Sequence, residues 1–91
     1  MDNNNSNVNG PGNTAPAREL TYGEKAVGLT FNPGGHAKVE SIKRKFADTI
    51  DELNDMRNTT ENPEVKRMCS VAITDAQSAQ MWAVKAATWQ Y

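Results

Sequence analysis

Apolar residues recur at steps of three and four along two stretches of the chain, which is the spacing of an amphipathic α-helix. In residues 37–57 the positions on this face are large: Val39, Ile42, Phe46, Ile50, Leu53 and Met56. In residues 62–91 they are mostly small: Val65, Met68, Ala72, Ala76, Ala79, Ala83 and Ala86. The polar segment 58–62 is short enough for a reverse connection. We therefore predict an all-α fold, an antiparallel helical hairpin in which Phe46 and Ile50 meet the alanine stripe.

The second helix carries recognisable start signals. Asn62 suits the N-cap, Pro63 needs no N–H at the first helical position, and Glu64 complements the positive end of the helix dipole. No proline or glycine follows, so the helix is predicted to run to residue 91. Trp82 and Trp89 lie seven residues apart and on a different side from the alanine stripe. This surplus of apolar surface suggests packing against further chains.

The segment before the hairpin has two parts. Residues 1–17 are rich in Asn and Gly and hold almost nothing to bury, so we predict a disordered tail. Residues 18–91 are predicted to form one helical-hairpin domain. At its start, residues 18–30 have a weaker apolar pattern, and Gly23 and Gly28 lower the helix propensity. A short helical turn and an arm laid on a neighbouring subunit both fit this segment.

Size and composition favour self-association. With 91 residues, of which 37% are hydrophobic, a single core is barely sufficient. A two-helix hairpin leaves apolar surface uncovered, so we expect a compact homo-oligomer. Disulfides do not supply the missing stability, because Cys69 is the single cysteine. We expect Cys69 to be a small buried apolar residue.

Several classes of function are disfavoured. No histidine or second cysteine accompanies Cys69 at a metal-ligand spacing, so we expect no metal site and no cofactor. Since the chain has neither an apolar run long enough for a membrane nor a signal-peptide pattern, a cytoplasmic location is expected. A net charge of −1 disfavours binding to duplex nucleic acid. The local basic cluster in residues 38–45 nevertheless suits a small anion.

The sequence FNPGGH, residues 31–36, cannot form regular structure. Asn32 precedes a proline and is biased towards extended backbone, and Gly34 and Gly35 permit backbone angles closed to other residues. The segment leads directly into a helix, whose first N–H groups point outward with the positive dipole end behind them. Two interpretations remain open: an anion-binding turn, and an ordinary turn in which glycine breaks the helix.

No catalytic set stands out, and we expect a protein that is not an enzyme. A triad can be drawn on paper from Ser70, Thr74, Asp75, Ser78 and His36. Serine and threonine within helices, however, more often face solvent or bond to the preceding turn. His36 is the only histidine and lies at a boundary between loop and helix, where it either contacts a ligand or caps the helix.

Two further groups of residues have alternative interpretations. Lys66 and Arg67 lie in the second turn of the last helix, where the dipole disfavours cations. Either an anionic ligand uses them or they belong to a solvated face, paired with residues such as Glu61 or Glu64. The aromatic residues are suited to stacking on nucleobases, although we assign Trp82 and Trp89 to packing.

Four segments together resemble a known family: FNPGG, IKRKFADTIDEL, PEVKRMCSVAIT and AQMWAVKAATW. They are similar to the phage anti-CBASS sponge family and to the helical-hairpin domain that it shares with a Thoeris anti-defence sponge. The resemblance covers residues 29–89. It implies a compact homohexamer that is not an enzyme and acts in the cytoplasm of the infected bacterium. Such proteins sequester cyclic oligonucleotide messengers, so that CBASS effectors stay inactive.

The resemblance also implies two ligand sites. At the cyclic dinucleotide site, an aromatic residue of the turn stacks on a base, and a lysine of the following helix assists; we prefer Lys45 to Lys43. The residues assigned to this site are Tyr22, Phe31, Asn32, Gly34, Gly35, His36, Lys43 and Lys45. At the cyclic trinucleotide site, the family gathers an arginine around a threefold axis. Arg67 matches that arginine, and Lys66 is assigned with it.

Three other functions stay open. The first is a sponge for the cyclic ADP-ribose signals of Thoeris immunity, which the lack of an evident strand-rich N-terminal part disfavours. The second is a small structural or interaction oligomer without a ligand, which leaves residues 31–36 and Arg67 without a role. The third is a binder of single-stranded nucleic acid, which the net charge disfavours.

Overall fold

A computed structural model describes residues 18–91, which form three α-helices: α1 (Tyr22–Val27), α2 (Ala37–Thr59) and α3 (Pro63–Ala87). The predicted hairpin is confirmed, because α2 and α3 pack along each other, while α1 packs mainly against α2. No strand occurs within the described residues. In this part of the chain no helix is long and apolar enough to cross a membrane. The tail predicted for residues 1–17 lies outside the described residues.

α3 begins as predicted and ends earlier than predicted. Asn62 Oδ1 accepts hydrogen bonds from the N–H groups of Glu64 (2.9 Å) and Val65 (3.4 Å). The helix stops at Ala87. The Thr88 hydroxyl donates to the carbonyl of Val84 at 2.9 Å, a local bond of the kind that competes with continued helix. α2, in contrast, continues past its predicted limit.

The hydrophobic core lies where the three helices meet. Its buried members are Val27, Ala47, Ile50 and Ile73, and Ala26, Leu29, Phe46, Leu53 and Ala76 pack around them. Phe46 and Ile50 therefore share a cluster with Ala76, as the predicted hairpin required. Burying large aliphatic and aromatic side chains at this junction supplies most of the free energy that holds the helices together.

The buried face of α3 differs from the predicted alanine stripe. The buried residues of this helix are Cys69, Ile73 and Gln80. The exposed members of the predicted stripe are Met68, Ala79 and Ala86. The prediction was right for Ala76, which packs against the core, and wrong for these three exposed residues. Small and apolar residues occur on most sides of α3, so their spacing did not single out one face. Packing selects the face with Ile73, since this large side chain reaches the core. The expectation that Cys69 is buried is confirmed.

α1 resolves the choice between a helical turn and an arm. It is a short helix docked on α2 of its own chain. A capping box starts it: the Thr21 hydroxyl accepts from the Glu24 N–H (3.1 Å), and Glu24 Oε1 accepts from the Thr21 N–H (2.8 Å). Gly23 allows the close packing, because a Cβ there would lie 2.1 Å from the carbonyl oxygen of Ala47.

Glu24 also anchors α1 through charge. Its side chain is 1% exposed and accepts from both terminal nitrogens of Arg18, at 2.7 and 2.6 Å, and from Arg44 at 2.8 Å. The Arg18 guanidinium, followed by the Thr21 N–H and Arg44, holds the pKa of the Glu24 carboxyl far below its ordinary value. This fixed carboxylate holds α1 and α2 together, and with them the turn that follows α1.

Candidate ligand-binding site

The turn after α1 is built from tight backbone bonds and left-handed glycines. The Phe31 N–H donates to the carbonyl of Gly28, and the Gly35 N–H donates to that of Asn32, both at 2.9 Å. Gly34 and Gly35 have φ angles of 80° and 61°, as predicted for positions that other residues rarely adopt. A Cβ at either glycine would meet nothing within 4 Å, so their importance is conformational.

Asn32 braces the turn against the start of α2. Its side-chain amide donates to the carbonyl of His36 (3.0 Å), and its Oδ1 accepts from the His36 N–H (3.1 Å). His36 is the N-cap residue of α2, but its side chain makes no capping hydrogen bond. The positive end of the α2 dipole and its first N–H groups therefore face the turn, where an anion is stabilised.

A pocket of about 210 Å³ opens between this turn and the two long helices. It is lined by Phe31, Asn32, Pro33, His36, Val39, Lys43, Val84 and Thr88. Phe31 is 72% exposed and presents its ring at the edge of the pocket, whereas Val39 is buried. The volume is below the roughly 300–1,000 Å³ of typical small-molecule sites. One chain thus offers space for part of a nucleotide-sized ligand.

Lys43 holds the turn from within the pocket wall. Its ammonium donates to the carbonyl oxygens of Gly28 (2.9 Å) and Phe31 (2.5 Å). The same nitrogen lies 5.5 Å from the centre of the Phe31 ring, a cation–π contact. Lys43 is 5% exposed, and burial lowers the pKa of its ammonium. The Lys43 ammonium is therefore occupied by backbone carbonyl groups of its own chain.

The structure brings together part of the predicted dinucleotide set. Phe31, Asn32, His36 and Lys43 line the pocket, and both glycines belong to the same turn. Lys45 is exposed on α2 and is not among the lining residues. Tyr22 lies far from the pocket, because its ring is 5.4 Å from the guanidinium of Arg57. Arg57 is about 27 Å further along α2 than Val39, which lines the pocket. Within one chain, Tyr22 and Lys45 stay outside the pocket.

The predicted trinucleotide residues lie at the opposite end of the hairpin. Arg67 donates to both carboxylate oxygens of Glu64, at 3.1 and 2.5 Å, and this pair lowers the pKa of Glu64. Lys66 donates to the carbonyl of Arg57 at 3.0 Å. Both cations have partners within the chain, which is the arrangement expected of a solvated face. Arg67 and Val84 are separated by about 25 Å along α3, so within one chain the two predicted sites do not overlap.

A family model described as Acb2/Tad1, hairpin domain, matches residues 24–88. The chain belongs to the Acb2/Tad1 hairpin family. The match confirms the resemblance to the anti-CBASS and Thoeris sponges. It begins within α1 and includes the Phe31 turn, the whole hairpin and Thr88. Comparison with curated proteins and with solved structures gave no match.

Four residues that line this Acb2/Tad1 hairpin pocket were not among the predicted site residues: Pro33, Val39, Val84 and Thr88. Val84 and Thr88 lie about fifty residues after Phe31, and no local pattern marks them as ligand-binding. A signal was nevertheless present. Once residues 58–62 are taken as the reverse connection, an antiparallel hairpin must place the end of α3 beside the start of α2.

The Acb2/Tad1 hairpin also has a second recess, of about 440 Å³, lined by Trp82, Lys85, Ala86 and Trp89. The Lys85 ammonium lies 5.1 Å from the ring centre of Trp82 and 5.7 Å from that of Trp89. Both tryptophans are more than half exposed on the single chain. Their predicted role was to fill interfaces with other chains, and the single chain leaves them available for it.

Proposed function

We propose that this Acb2/Tad1 hairpin is a phage anti-defence sponge that binds cyclic dinucleotides at the Phe31 pocket without cleaving them. By sequestering the messenger in the cytoplasm of the infected bacterium, it keeps CBASS effectors inactive. The observation that carries the proposal is the exposed Phe31 ring beside an apolar pocket, next to the uncapped start of α2. These features match the two chemical parts of a cyclic dinucleotide.

The base is recognised by the apolar part of the pocket. Phe31 offers a free aromatic face, and Val39 and Val84 line the wall behind it. Stacking of one base on an aromatic side chain contributes roughly 1–3 kcal/mol in single-stranded recognition. Because Lys43 and the turn hydrogen bonds already hold Phe31 in place, little ordering cost opposes binding.

The phosphate is recognised at the start of α2. The first N–H groups of this helix and its dipole favour an anion at that point. His36 stands at the N-cap with an exposed side chain, and Lys38 follows it in the first turn. This arrangement needs no general base or metal, because a sponge only has to bind.

A complete site requires more than one chain. The pocket of about 210 Å³ is small for a cyclic dinucleotide, so a neighbouring subunit has to supply further walls. Tyr22 and Lys45 are exposed and lie outside their own chain's pocket. In the proposed homo-oligomer, a hexamer, these residues contribute to the pocket of an adjacent subunit. Repeating the site by symmetry then gives several pockets from one short chain.

Cyclic trinucleotide binding at Arg67 and Lys66 is a second proposal, taken from the family resemblance. The Arg67–Glu64 ion pair determines what such binding would require. A phosphate must compete with the Glu64 carboxylate for the guanidinium, and several Arg67 side chains around one axis would make the competition favourable.

A ligand panel tests the proposed function. Purified protein is incubated with cyclic dinucleotides, cyclic trinucleotides and cyclic ADP-ribose isomers, freed of unbound ligand, heated and centrifuged, and the released compounds are identified by mass spectrometry. Intact cyclic dinucleotide is the expected product. A linear or shortened product would show an enzyme instead. Recovery of cyclic ADP-ribose alone would favour a Thoeris sponge, and recovery of nothing would favour an interaction oligomer.

A further inference from the structure

Among residues 18–91, the buried polar or charged side chains are those of Glu24, Lys43 and Gln80. Glu24 pairs with Arg18 and Arg44, and Lys43 donates to two backbone carbonyl groups. Gln80, on α3, is 6% exposed, and its amide makes no hydrogen bond to any residue that the structure describes. A buried polar group without a partner is rare in a folded protein and calls for a cause.

A neighbouring glutamine of α3 has the partner that Gln80 lacks. Gln77 is half-buried, and its amide donates to the carbonyl of Ala26 at 3.4 Å. A buried amide without a partner destabilises the folded state, whereas an apolar side chain of similar shape in its place does not. Proteins tolerate such a local cost mainly at functional sites.

Gln80 lies between the hydrophobic core and the Phe31 pocket. Four residues before it, Ala76 packs against the core, and four residues after it, Val84 lines the pocket. Residues four apart lie on the same face of a helix, so the three side chains form one line along α3. The glutamine therefore stands directly behind the Val84 wall of the pocket.

α2 has the same order of residues in the opposite direction. Val39 lines the pocket, Lys43 follows four residues later, and Ala47 belongs to the core after four more. Because the two helices form an antiparallel hairpin, Lys43 and Gln80 stand at the same level, each between a valine of the pocket and an alanine of the core. Lys43 is itself a lining residue, so this level is the inner end of the pocket.

The two side chains at this level differ in what they can offer a ligand. Lys43 already donates to the carbonyls of Gly28 and Phe31. The amide of Gln80 has an acceptor oxygen and two N–H donors, and within the described residues all of them are unused. An amide that donates and accepts side by side matches a base edge on which an acceptor and a donor are neighbours. A base that stacks on Phe31 uses its face and keeps such an edge free.

We propose that Gln80 recognises the base bound at the Phe31 pocket, through hydrogen bonds between its side-chain amide and an edge of that base. On binding, a change of rotamer turns the amide towards the pocket, as is common at binding sites. The inference rests on the proposed function and deepens it, because stacking on Phe31 accepts any base whereas an amide distinguishes among them. Gln80 thus determines which cyclic dinucleotides are retained.

Removing the amide tests its roles in binding and in folding. Gln80→Met keeps an unbranched side chain of similar length, and Gln77→Met makes the same change at the paired amide. We expect Gln80→Met to bind its preferred cyclic dinucleotide about tenfold more weakly, the scale of one lost base contact. It should also melt at a higher temperature than the wild type at equal protein concentration, because no buried amide is left without a partner. Gln77→Met should keep its affinity and melt no higher.

Calorimetric titration and thermal melting followed by circular dichroism give the two values for each protein. A lower melting temperature of Gln80→Met would overturn the proposal, because the amide would then be a structural group with a partner in the folded protein. Unchanged affinity of Gln80→Met, or an equal loss of affinity in Gln77→Met, would overturn it as well.

Selectivity is tested with the same proteins and three ligands: cyclic di-AMP, cyclic di-GMP and cyclic GMP–AMP. We expect the wild type to bind them with different affinities and Gln80→Met to bind them with more similar ones, since stacking alone remains. Gln77→Met should keep the wild-type order. Equal affinities in the wild type, or the same ratios in Gln80→Met, would contradict recognition of the base by Gln80.

Failure of this inference is distinguishable from failure of the proposed function. Wild-type protein that retains no cyclic dinucleotide overturns both. Wild-type protein that retains cyclic dinucleotide, with Gln80→Met retaining it equally well, supports the sponge and overturns the role of Gln80 alone.

Discussion

The ammonium of Lys43 donates to the carbonyl oxygen of Phe31 at 2.5 Å and lies 5.5 Å from the centre of the Phe31 ring. One side chain thus fixes both the backbone and the ring of the residue that we propose stacks on a base. With a second bond to Gly28 at 2.9 Å, Lys43 joins α2 to the turn that follows α1. In the proposed site, the lysine would therefore act on the ligand through Phe31.

Replacing Lys43 by methionine should lower dinucleotide affinity without changing how that affinity depends on salt. The methionine keeps the apolar stem but leaves the carbonyls of Gly28 and Phe31 without their donor, at a cost to folding of about 1–3 kcal/mol. Affinity falls because the Phe31 ring is no longer held. Isothermal titration at several salt concentrations measures both quantities. Lys45→Met is the matched variant. If a lysine contacts phosphate directly, its removal should reduce the dependence of the ligand affinity on salt. A reduced salt dependence in Lys43→Met would mean that Lys43 itself binds phosphate.

Phe31→Ala should weaken cyclic dinucleotide binding by about 5- to 150-fold, the loss of one base stack of roughly 1–3 kcal/mol. The folded structure should be retained, because the side chain is 72% exposed. Phe31→Tyr keeps the aromatic plane and should bind like the wild type or more tightly. Titration of cyclic dinucleotide into the wild type and both variants distinguishes base stacking from a purely structural role of Phe31. Equal losses in Phe31→Ala and Phe31→Tyr would contradict stacking.

Arg67→Ala should reduce retention of cyclic trinucleotides and leave dinucleotide retention unchanged. The reason is that Arg67 belongs to neither part of the proposed dinucleotide site: it does not line the Phe31 pocket, and its guanidinium is paired with Glu64. Heat release after incubation with each ligand class gives both values from one preparation. If both ligand classes are lost while the oligomer keeps its mass, the assignment of two separate sites is wrong.

Gly23→Ala should destabilise the protein by about 1–3 kcal/mol, the usual cost of overpacking. The added methyl group would lie 2.1 Å from the carbonyl oxygen of Ala47, so α1 or α2 has to shift. Urea unfolding followed by circular dichroism measures the change in the free energy of unfolding. Lys25→Ala, on the exposed side of the same helix, should change it by less than about 0.5 kcal/mol. An equally stable Gly23→Ala protein would show that α1 is not tightly docked.

Acid should weaken the docking of α1 through Glu24. Its pKa is depressed in the folded protein, so its contribution to stability is complete above the ordinary value of 4.5 and is lost as the pH falls below it. Melting temperatures from about pH 6 to about pH 3 should therefore fall in the wild type. They should fall less steeply in Glu24→Gln, which starts lower because it lacks the charge. Parallel curves for the two proteins would contradict this role.

The turn and the helices were predictable because their signals are local. Asn62 and Pro63 mark the start of α3 by their capping chemistry, and the left-handed angles of Gly34 and Gly35 follow from the lack of a side chain. The regular spacing of large residues such as Ile50 likewise selected most of the buried face of α2, although Met56 near its end is exposed. Each of these features depends on residues within a few positions of one another.

The remaining features depend on contacts that only the folded chain creates. Spacing on α3 did not distinguish the face of Ile73 from the alanine stripe, because the choice is made by packing against α2. In the sequence, Glu24 resembles an ordinary surface residue. Its ion pairs form only when folding places Arg18 and Arg44 next to it. Val84 and Thr88 become pocket residues only through the reversal of the chain at residues 60–62.

The pocket has walls from both long helices at the open end of the hairpin, because Phe31 precedes α2 and Val84 belongs to the last turns of α3. A molecule bound there contacts the two helices only when they are closed on each other, so occupancy and folding are thermodynamically linked. At a free ligand concentration one hundred times the dissociation constant, this linkage adds about 2.7 kcal/mol to the free energy of unfolding. In the proposed sponge, each bound messenger would therefore also protect the protein from unfolding and from proteases that attack unfolded chains.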